Sequence, residues 1–362
     1  MASLRTFYLQ LLKNGPTSLC GYVAFLGLWP LSCLYGAIVR LRLYAYSTGF
    51  KKIYRAKIPV ISVGNLTVGG TGKTPMTDFL AKWMQKHEVK ATIVSRGYGG
   101  DYTDPVLRVV LKGSKATKPA SCGDEPFLLA RKNPSVPVFV ARRRALGVRA
   151  AEEAGAELII LDDGFQHRAV HRDLDIVLLD SEKPFGNGRM LPAGALREPA
   201  PALNRSHLLV MTRYFPGKTN IAIAAKPTLF SCHTLSQRLS SLSGDHLLLS
   251  ELVGKSCVAF AGIARPEDFF TGLRNHHLTL KEAISLADHQ VYDNSLIARL
   301  SKSCQGADAL ITTEKDAVKL AGVSLPIPCY QVGVEMTFSE TKDLDEMLMK
   351  LISGYKPIGG LH

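Results

Sequence analysis

Thr67-Val68-Gly69-Gly70-Thr71-Gly72-Lys73-Thr74 is the segment that most narrows what this chain can fold into. It follows a β-branched run, Ile58 to Val63. It precedes a helix predicted by the spacing of Met76, Phe79, Leu80, Trp83 and His87, with Pro75 at the first position, where a missing N–H leaves no bond unmade. Glycines in such a turn let successive backbone N–H groups face a bound phosphate. The lysine reaches the β/γ oxygens, and the Thr74 hydroxyl can hold Mg²⁺. The general eight-residue pattern begins with Gly where this one has Thr67, yet strand before and helix after are both in place. The segment is expected to cradle the phosphates of a nucleotide.

The remaining sequence supplies the setting such a turn needs. Ala91 to Ser95 reads as the next strand. Val136 to Val140, a helix from Arg142 to about Ala154, and Leu158 to Leu161 read as a βαβ unit, and Asp175 to Leu179 as another buried strand. A Pro/Gly/Lys loop from Tyr214 to Asn220 breaks the rhythm. It resumes with Cys257 to Ala261, a helix near Pro266 to Leu273, and strands at Ala309 to Thr312 and Tyr330 to Val334. Short apolar strands alternating with helices predict an α/β fold, a P-loop NTPase-like parallel sheet covered on both faces. A length of 362 residues fits two domains. The expected division is a P-loop core over 46–215 and a smaller α/β domain over 216–339, with an amphipathic tail over 340–362 packing back on the core.

Ahead of these lies a different kind of segment. Asn14 to Val39 carries no charge and is rich in Leu, Phe and Tyr, and Arg40, Arg42, Lys51, Lys52, Arg55 and Lys57 follow with no acid among them. No Asp or Glu occurs before Asp78, so much of the net charge of +13 sits in this collar. Residues 1–45 are expected to form a helix that associates with the membrane, drawn to an anionic lipid surface, with the body on the cytoplasmic face of the inner membrane. Basic residues flanking an apolar helix, without interleaved stacking aromatics, argue against nucleic-acid binding. Seven scattered cysteines without a CxxC pair exclude a disulfide framework and a cysteine zinc cluster.

A phosphate loop needs acids to hold its metal. Leu158-Ile159-Ile160-Leu161 delivers Asp162 and Asp163 to the C-terminal end of a strand, where α/β sheets bind ligands; Asp180, ending another apolar run, is the rival. What happens to the γ-phosphate is not settled by these residues. A partition-type ATPase would carry lysine at Val68. A GTPase would carry Asn/Thr-Lys-x-Asp, which Thr313-Glu314-Lys315-Asp316 does not match, so Lys315 and Asp316 read as surface. A kinase with a membrane-bound acceptor accommodates loop, helix and collar together, and an acceptor-independent ATPase stays open as the alternative. By residue type alone, Asp124 reads as a helix cap, His289 as a core histidine, and Arg142-Arg143-Arg144 as a solvated helix face.

Several strings resemble one family in order along nearly the whole chain: Gly64-Asn65-Leu66-Thr67 through Thr74-Pro75, Ser95-Arg96-Gly97-Tyr98-Gly99, Gly123-Asp124-Glu125-Pro126, Asp162-Asp163-Gly164-Phe165-Gln166-His167, Leu196-Arg197-Glu198-Pro199, and Asp288-His289-Gln290. The family is tetraacyldisaccharide 4′-kinase, the lipid A 4′-kinase of Gram-negative inner membranes. The resemblance implies transfer of the ATP γ-phosphate, with Mg²⁺, to the 4′-hydroxyl of a tetraacylated glucosamine disaccharide 1-phosphate, giving lipid IVA. It implies Lys73 and Thr74 on phosphate and metal, Asp124 as base supported by His289, and Asp162 and Asp163 serving the metal. It also implies Arg197 on the γ-phosphate, with Tyr98, Gln166 and Glu198 lining the site. A monomer that closes around its substrates is expected.

Overall fold

The computed structural model describes residues 2–114, 116–214, 226–288 and 290–354. Two helices, α1 (Ala2–Asn14) and α2 (Leu19–Ser47), precede an alternating body: β1 (Val60–Asn65), α3 (Lys73–Lys86), β2 (Ala91–Ser95), β3 (Leu107–Arg108), α4 (Pro119–Cys122), α5 (Asp124–Lys132), β4 (Val138–Val140), α6 (Arg144–Glu153), β5 (Leu158–Asp162), β6 (Leu174–Asp180) and β7 (Leu208–Thr212). The second half runs β8 (Thr228–Ser241), β9 (His246–Leu248), β10 (Ser256–Ala261), α7 (Pro266–Asn275), β11 (Thr279–Ser285), α8 (Asn294–Ser303), β12 (Ala309–Thr313), α9 (Glu314–Ala317), β13 (Cys329–Phe338) and α10 (Lys342–Gly354).

The fold is α/β, with a mostly parallel sheet in the order β11-β10-β12-β13-β8-β7-β6-β1-β5-β2-β4-β3, and β9 pairs the side of β8. β1, β2 and β5 are buried along their whole length because helices cover both faces, which is why they read as continuous apolar runs. The expected βαβ unit forms, but β4 and β5 are not neighbours: β2 lies between them. Three pairings are antiparallel, β3 with β4, β13 with β8 and β8 with β9. β8 changes partner along its length. Thr228 to Phe230 pair in parallel with β7, and Ser231 to Ser241 run antiparallel to β13. Separate apolar clusters form on either side of this strand, one around Met76, Leu80 and Ile160, another around Phe269, Phe270 and Ile311. The loop 215–220, where the sequence places a boundary, lies outside the described residues. α10 buries Leu344 and Leu348 against the first cluster, and Trp83 Nε1 donates to Asp345 Oδ1 at 2.8 Å.

Helix α3 begins at Lys73, two residues before Pro75, with Gly72 as its N-cap. Proline in the first turn still costs no hydrogen bond. α2 extends through Arg40 and Arg42 to Ser47 and absorbs Pro30 in its interior. At 29 residues it is about 43 Å long, and by length and composition it is the one helix among the described residues apolar enough to cross a membrane. Leu26, Trp29, Leu34, Ile38 and Leu41 are exposed, while Ser32 and Gly36 are buried against the body.

Candidate active site

The site forms where β1 ends between its parallel neighbours β5 and β6. The turn after β1 is held before any ligand arrives. Val68 N–H donates to Ala195 O at 2.8 Å, Thr67 bridges Leu196, and Asn65 Nδ2 donates to Thr71 Oγ1 at 2.9 Å. Val68 therefore anchors the loop through its amide, and the part of the turn that lines the cavity begins at Gly69. Gly72 has φ +89°, and a Cβ there would lie 2.6 Å from His233 Nε2. Side-chain bulk is excluded on both counts.

β5 delivers the acid pair with two different environments. Asp162 is fully buried; Ser95 Oγ donates to it at 2.9 Å and Thr77 Oγ1 at 3.3 Å, and Arg144 Nη2 donates to its carbonyl at 3.0 Å. Burial, then the charges of Glu125 and Asp163, push its carboxyl up to about 6. Asp163 adopts φ +49° and meets two cations, Arg197 Nη1 at 3.0 Å to both oxygens and Lys73 Nζ at 3.6 Å. Burial alone would raise it, but Lys73 and Arg197 outweigh burial and hold it below the usual carboxylate range. The rival Asp180 is engaged by Arg213 at 2.6 Å and Arg265 at 2.9 Å. Two arginines leave it less suited to a metal than Asp162, which hydroxyls hold. Mg²⁺ needs only one or two carboxylates beside phosphate oxygens and water, so the Thr74 hydroxyl with Asp162 fits such an ion.

Four residues behave differently from their sequence reading. Arg144 is not a solvated face; it is buried, unlike the exposed Arg142 and Arg143. Asp316 is buried too, accepting from Gly262 N at 2.8 Å and from Thr313 Oγ1 at 2.7 Å. Lys315 reaches Asp288 at 3.0 Å and Glu125 at 3.6 Å. Burial would lower its pKa, but Glu125 and Asp288 raise it further. Asp124 does not cap α5, since Gly123 is the N-cap and Asp124 is the first helical residue, 3.1 Å from Lys319 Nζ. Gly123 has φ +90°, and a Cβ on it would lie 2.7 Å from Tyr98 O, so this glycine lets the Asp124 turn close on the Tyr98 loop. His289 lies outside the described residues.

One cavity of about 1380 Å³ joins the phosphate-loop segment, the acid pair and Lys315, while Asp124 and Asp316 are not among the residues lining it. Its floor is Gly69 to Thr74, and Tyr98, Asp162, Asp163, Gln166, Arg197 and Glu198 are on its walls; at the Asp124 turn the wall is made by Glu125 and Pro126. One side is formed by Tyr35, Val39, Arg42 and Leu43 of α2, the opposite side by Leu235, Ile263 and Phe269 of the second half. α2 is tied to the same motifs that line the cavity. Tyr35 OH donates to Arg197 O at 3.0 Å, and Arg42 Nη2 to Gln166 O at 3.3 Å. Gln166 Nε2 in turn donates to Asn65 O at 2.8 Å, and Glu198 is buried against Arg205 at 2.7 Å. His167 is pushed down to about 4 by burial and then by Arg144 and Arg42, so it stays neutral beside this basic group.

Fold and site together define a P-loop α/β protein whose phosphate cradle opens onto an apolar N-terminal helix. A sequence profile of the family described as Tetraacyldisaccharide-1-P 4'-kinase matches residues 24–353, and the chain belongs to that family. A tetraacyldisaccharide 4'-kinase of Syntrophotalea carbinolica is 46% identical, over 98% of this chain and 100% of the relative. One of Geobacter sulfurreducens is 41% identical over 89% and 92%. The crystal structure of LpxK from Aquifex aeolicus, described as in complex with ATP, superposes with a TM-score of 0.76 at 31% identity, covering 91% of this chain and 99% of that one.

Proposed function

We propose that this chain transfers the γ-phosphate of ATP to the 4′-hydroxyl of a tetraacylated glucosamine disaccharide 1-phosphate, as the names of its relatives indicate for them. The observation that carries this reading is the single cavity walled jointly by the apolar helix α2 and the phosphate loop. An acceptor with its acyl chains in a bilayer and its sugar in water needs a site of that kind. Outward-facing Trp29, Leu34 and Ile38 enter the lipid surface, while Ser32 Oγ donating to Met190 O at 2.7 Å and the Tyr35 and Arg42 bonds keep the other face on the body. α2 then lies in the interface instead of spanning, with its basic collar on anionic head groups at the cytoplasmic face. Every group named comes from one copy of the chain, so a monomer suffices.

Within the cavity, the turn from Gly69 binds the phosphates and Lys73 neutralises their developing charge. Arg197, released from Asp163 when phosphate arrives, presents its planar fork to the γ-phosphate. Thr74 and Asp162 would hold Mg²⁺, which would supply neutralisation of phosphate charge. Asp124 takes the acceptor's hydroxyl proton, with His289 in support by family resemblance. A loose phosphoryl-transfer transition state asks for placement more than base strength.

The test is transfer from γ-labelled ATP, in Mg²⁺ and detergent, onto the tetraacylated disaccharide 1-phosphate. Label enters the lipid in wild type and falls at least about a hundredfold in Lys73→Ala and Asp124→Asn. Label released only as free phosphate would sustain the ATPase alternative.

A further inference from the structure

The segment that follows β12 lies along α5 and meets it in three ion pairs. Glu314 Oε2 is 2.9 Å from Lys132 Nζ, Lys315 Nζ is 3.6 Å from Glu125 Oε1, and Lys319 Nζ is 3.1 Å from Asp124 Oδ2. The contacts run antiparallel, from the C-terminal end of α5 back to its first residue. The first pair already fastens the two halves of the molecule: Lys132 also lies 3.3 Å from Asp78, on the helix that follows the phosphate loop. Lys319 is not needed for that purpose, yet its side chain is only 13% exposed and that of Asp124 only 17%. Holding a lysine there costs rotamer entropy and desolvation, so the pair calls for an explanation. Lys319 is also set from its own side. Its ammonium reaches Gln290 O at 3.4 Å and lies 5.9 Å from the centre of the Tyr292 ring.

We propose that Lys319 is a positioning residue for phosphoryl transfer, fixing the Asp124 carboxylate from the opposite half of the molecule. The inference rests on the kinase reading and on Asp124 as the base. A carboxylate that must approach a hydroxyl beside the γ-phosphate is repelled by the phosphate charge, and a flexible side chain would turn away. An ammonium 3.1 Å from Oδ2 offsets part of that repulsion and restricts the side chain to one orientation. A loose transition state asks for placement more than base strength, so an ammonium beside the base is tolerable. The base is thereby assembled from both halves, and displacing the β12–α9 region away from α5 would unseat it.

The experiment compares Lys319→Met, Lys319→Arg, Asp124→Asn and the Lys319→Met/Asp124→Asn double variant in the lipid-transfer assay, with kcat and KM for ATP measured separately and thermal midpoints recorded. The expected result is a fall of about 10- to 100-fold in kcat for Lys319→Met, with KM for ATP within about twofold of wild type. Lys319→Arg keeps kcat within about fivefold, because the charge is retained. In the Asp124→Asn background, Lys319→Met changes the residual rate by less than about twofold, since its effect passes through that carboxylate. An inactive Asp124→Asn beside a Lys319→Met of unchanged or raised kcat overturns this proposal and leaves the base standing. Independent, multiplicative losses in the double variant also overturn it, by assigning Lys319 to general stability. A fully active Asp124→Asn removes the base and this inference with it. If Lys319→Met melts too early to assay, Lys319→Arg decides: a kcat loss greater than about tenfold with wild-type stability counts against charge as the cause.

Discussion

His233 sits where β8 turns from one partner to the other, paired across the sheet with Met336 and lodged under Gly72 of the phosphate loop. Its Nε2 is buried and has no hydrogen-bond partner among the described residues. Burial, followed by the charge of Arg213, pushes its pKa from the ordinary 6.5 down to about 4. In the folded chain the imidazole stays neutral between these values, whereas the unfolded chain binds a proton below 6.5. Its burial therefore carries no protonation penalty above about pH 6.5, and stability is lost as the pH falls toward 4. At pH 5.0, linkage with these two values gives a loss of about 2 kcal/mol from this one residue.

The perturbation that isolates it is His233→Leu, which removes the titration and keeps similar volume. Comparison with wild type cancels other groups, among them Asp162 and His167, which titrate in the same range. Thermal midpoints at pH 7.5 and pH 5.0 then give the result as a difference of differences. Wild type should lose about 2–3 °C more than the variant on acidification, for a chain of 362 residues. At pH 7.5 the leucine variant should be at least as stable, because a buried nitrogen without a partner carries a desolvation cost of about 1–3 kcal/mol. Parallel losses in the two proteins would refute the reasoning, since they would mean that His233 takes up its proton as readily folded as unfolded.

Gly72→Ala should weaken ATP binding at least about tenfold by nucleotide titration, because a left-handed φ costs about 1–2 kcal/mol in a residue with a Cβ and that carbon meets His233. Unchanged affinity would remove the steric argument for this turn. Asp316→Ala should lower unfolding free energy by about 2–4 kcal/mol in urea, through the loss of its bonds to Gly262 N and Thr313 and the unpaired amide left behind. Trp29→Glu, on the outward face of α2 at 48% exposure, should shift the protein from anionic vesicles to the supernatant on sedimentation, without altering its melting temperature.

Much of the strand, glycine turn and helix around Gly69–Thr74 was legible because their signals are local. A β-branched run, glycines at left-handed positions and a helix start all lie within Val60–Lys86, and each has a residue-type signature. The placement of Pro75 was off by two residues because any position in the first helical turn tolerates a missing N–H. Partners were not legible in the same way. Asp124 at a helix start looks like a cap until Lys319, nearly two hundred residues later, is seen beside it. Arg142, Arg143 and Arg144 are alike in sequence, and only the fold shows that the third is buried and donates to the Asp162 carbonyl. Thr313-Glu314-Lys315-Asp316 does not match a base-reading motif, and by residue type Lys315 and Asp316 read as surface. The same four residues make a helix cap, a bridge to Lys132, a bridge to Glu125 and a buried acceptor.

β8 was missed for a related reason. Strand signals presuppose one environment per strand, with a buried face that alternates or a run buried throughout. Thr228–Ser241 has two environments: three residues continue the parallel sheet of the first half, and the rest pair antiparallel with β13 and rise away from it. No single period describes it. The same change of partner brings β13 down onto α3, where Phe338 packs against Phe79 with ring centres 4.8 Å apart. Phosphate loop and second half are thus connected through backbone pairing, aromatic packing and the ion pairs of α5. A group as small as one imidazole under Gly72, or one ammonium beside Asp124, stands at the junction between them.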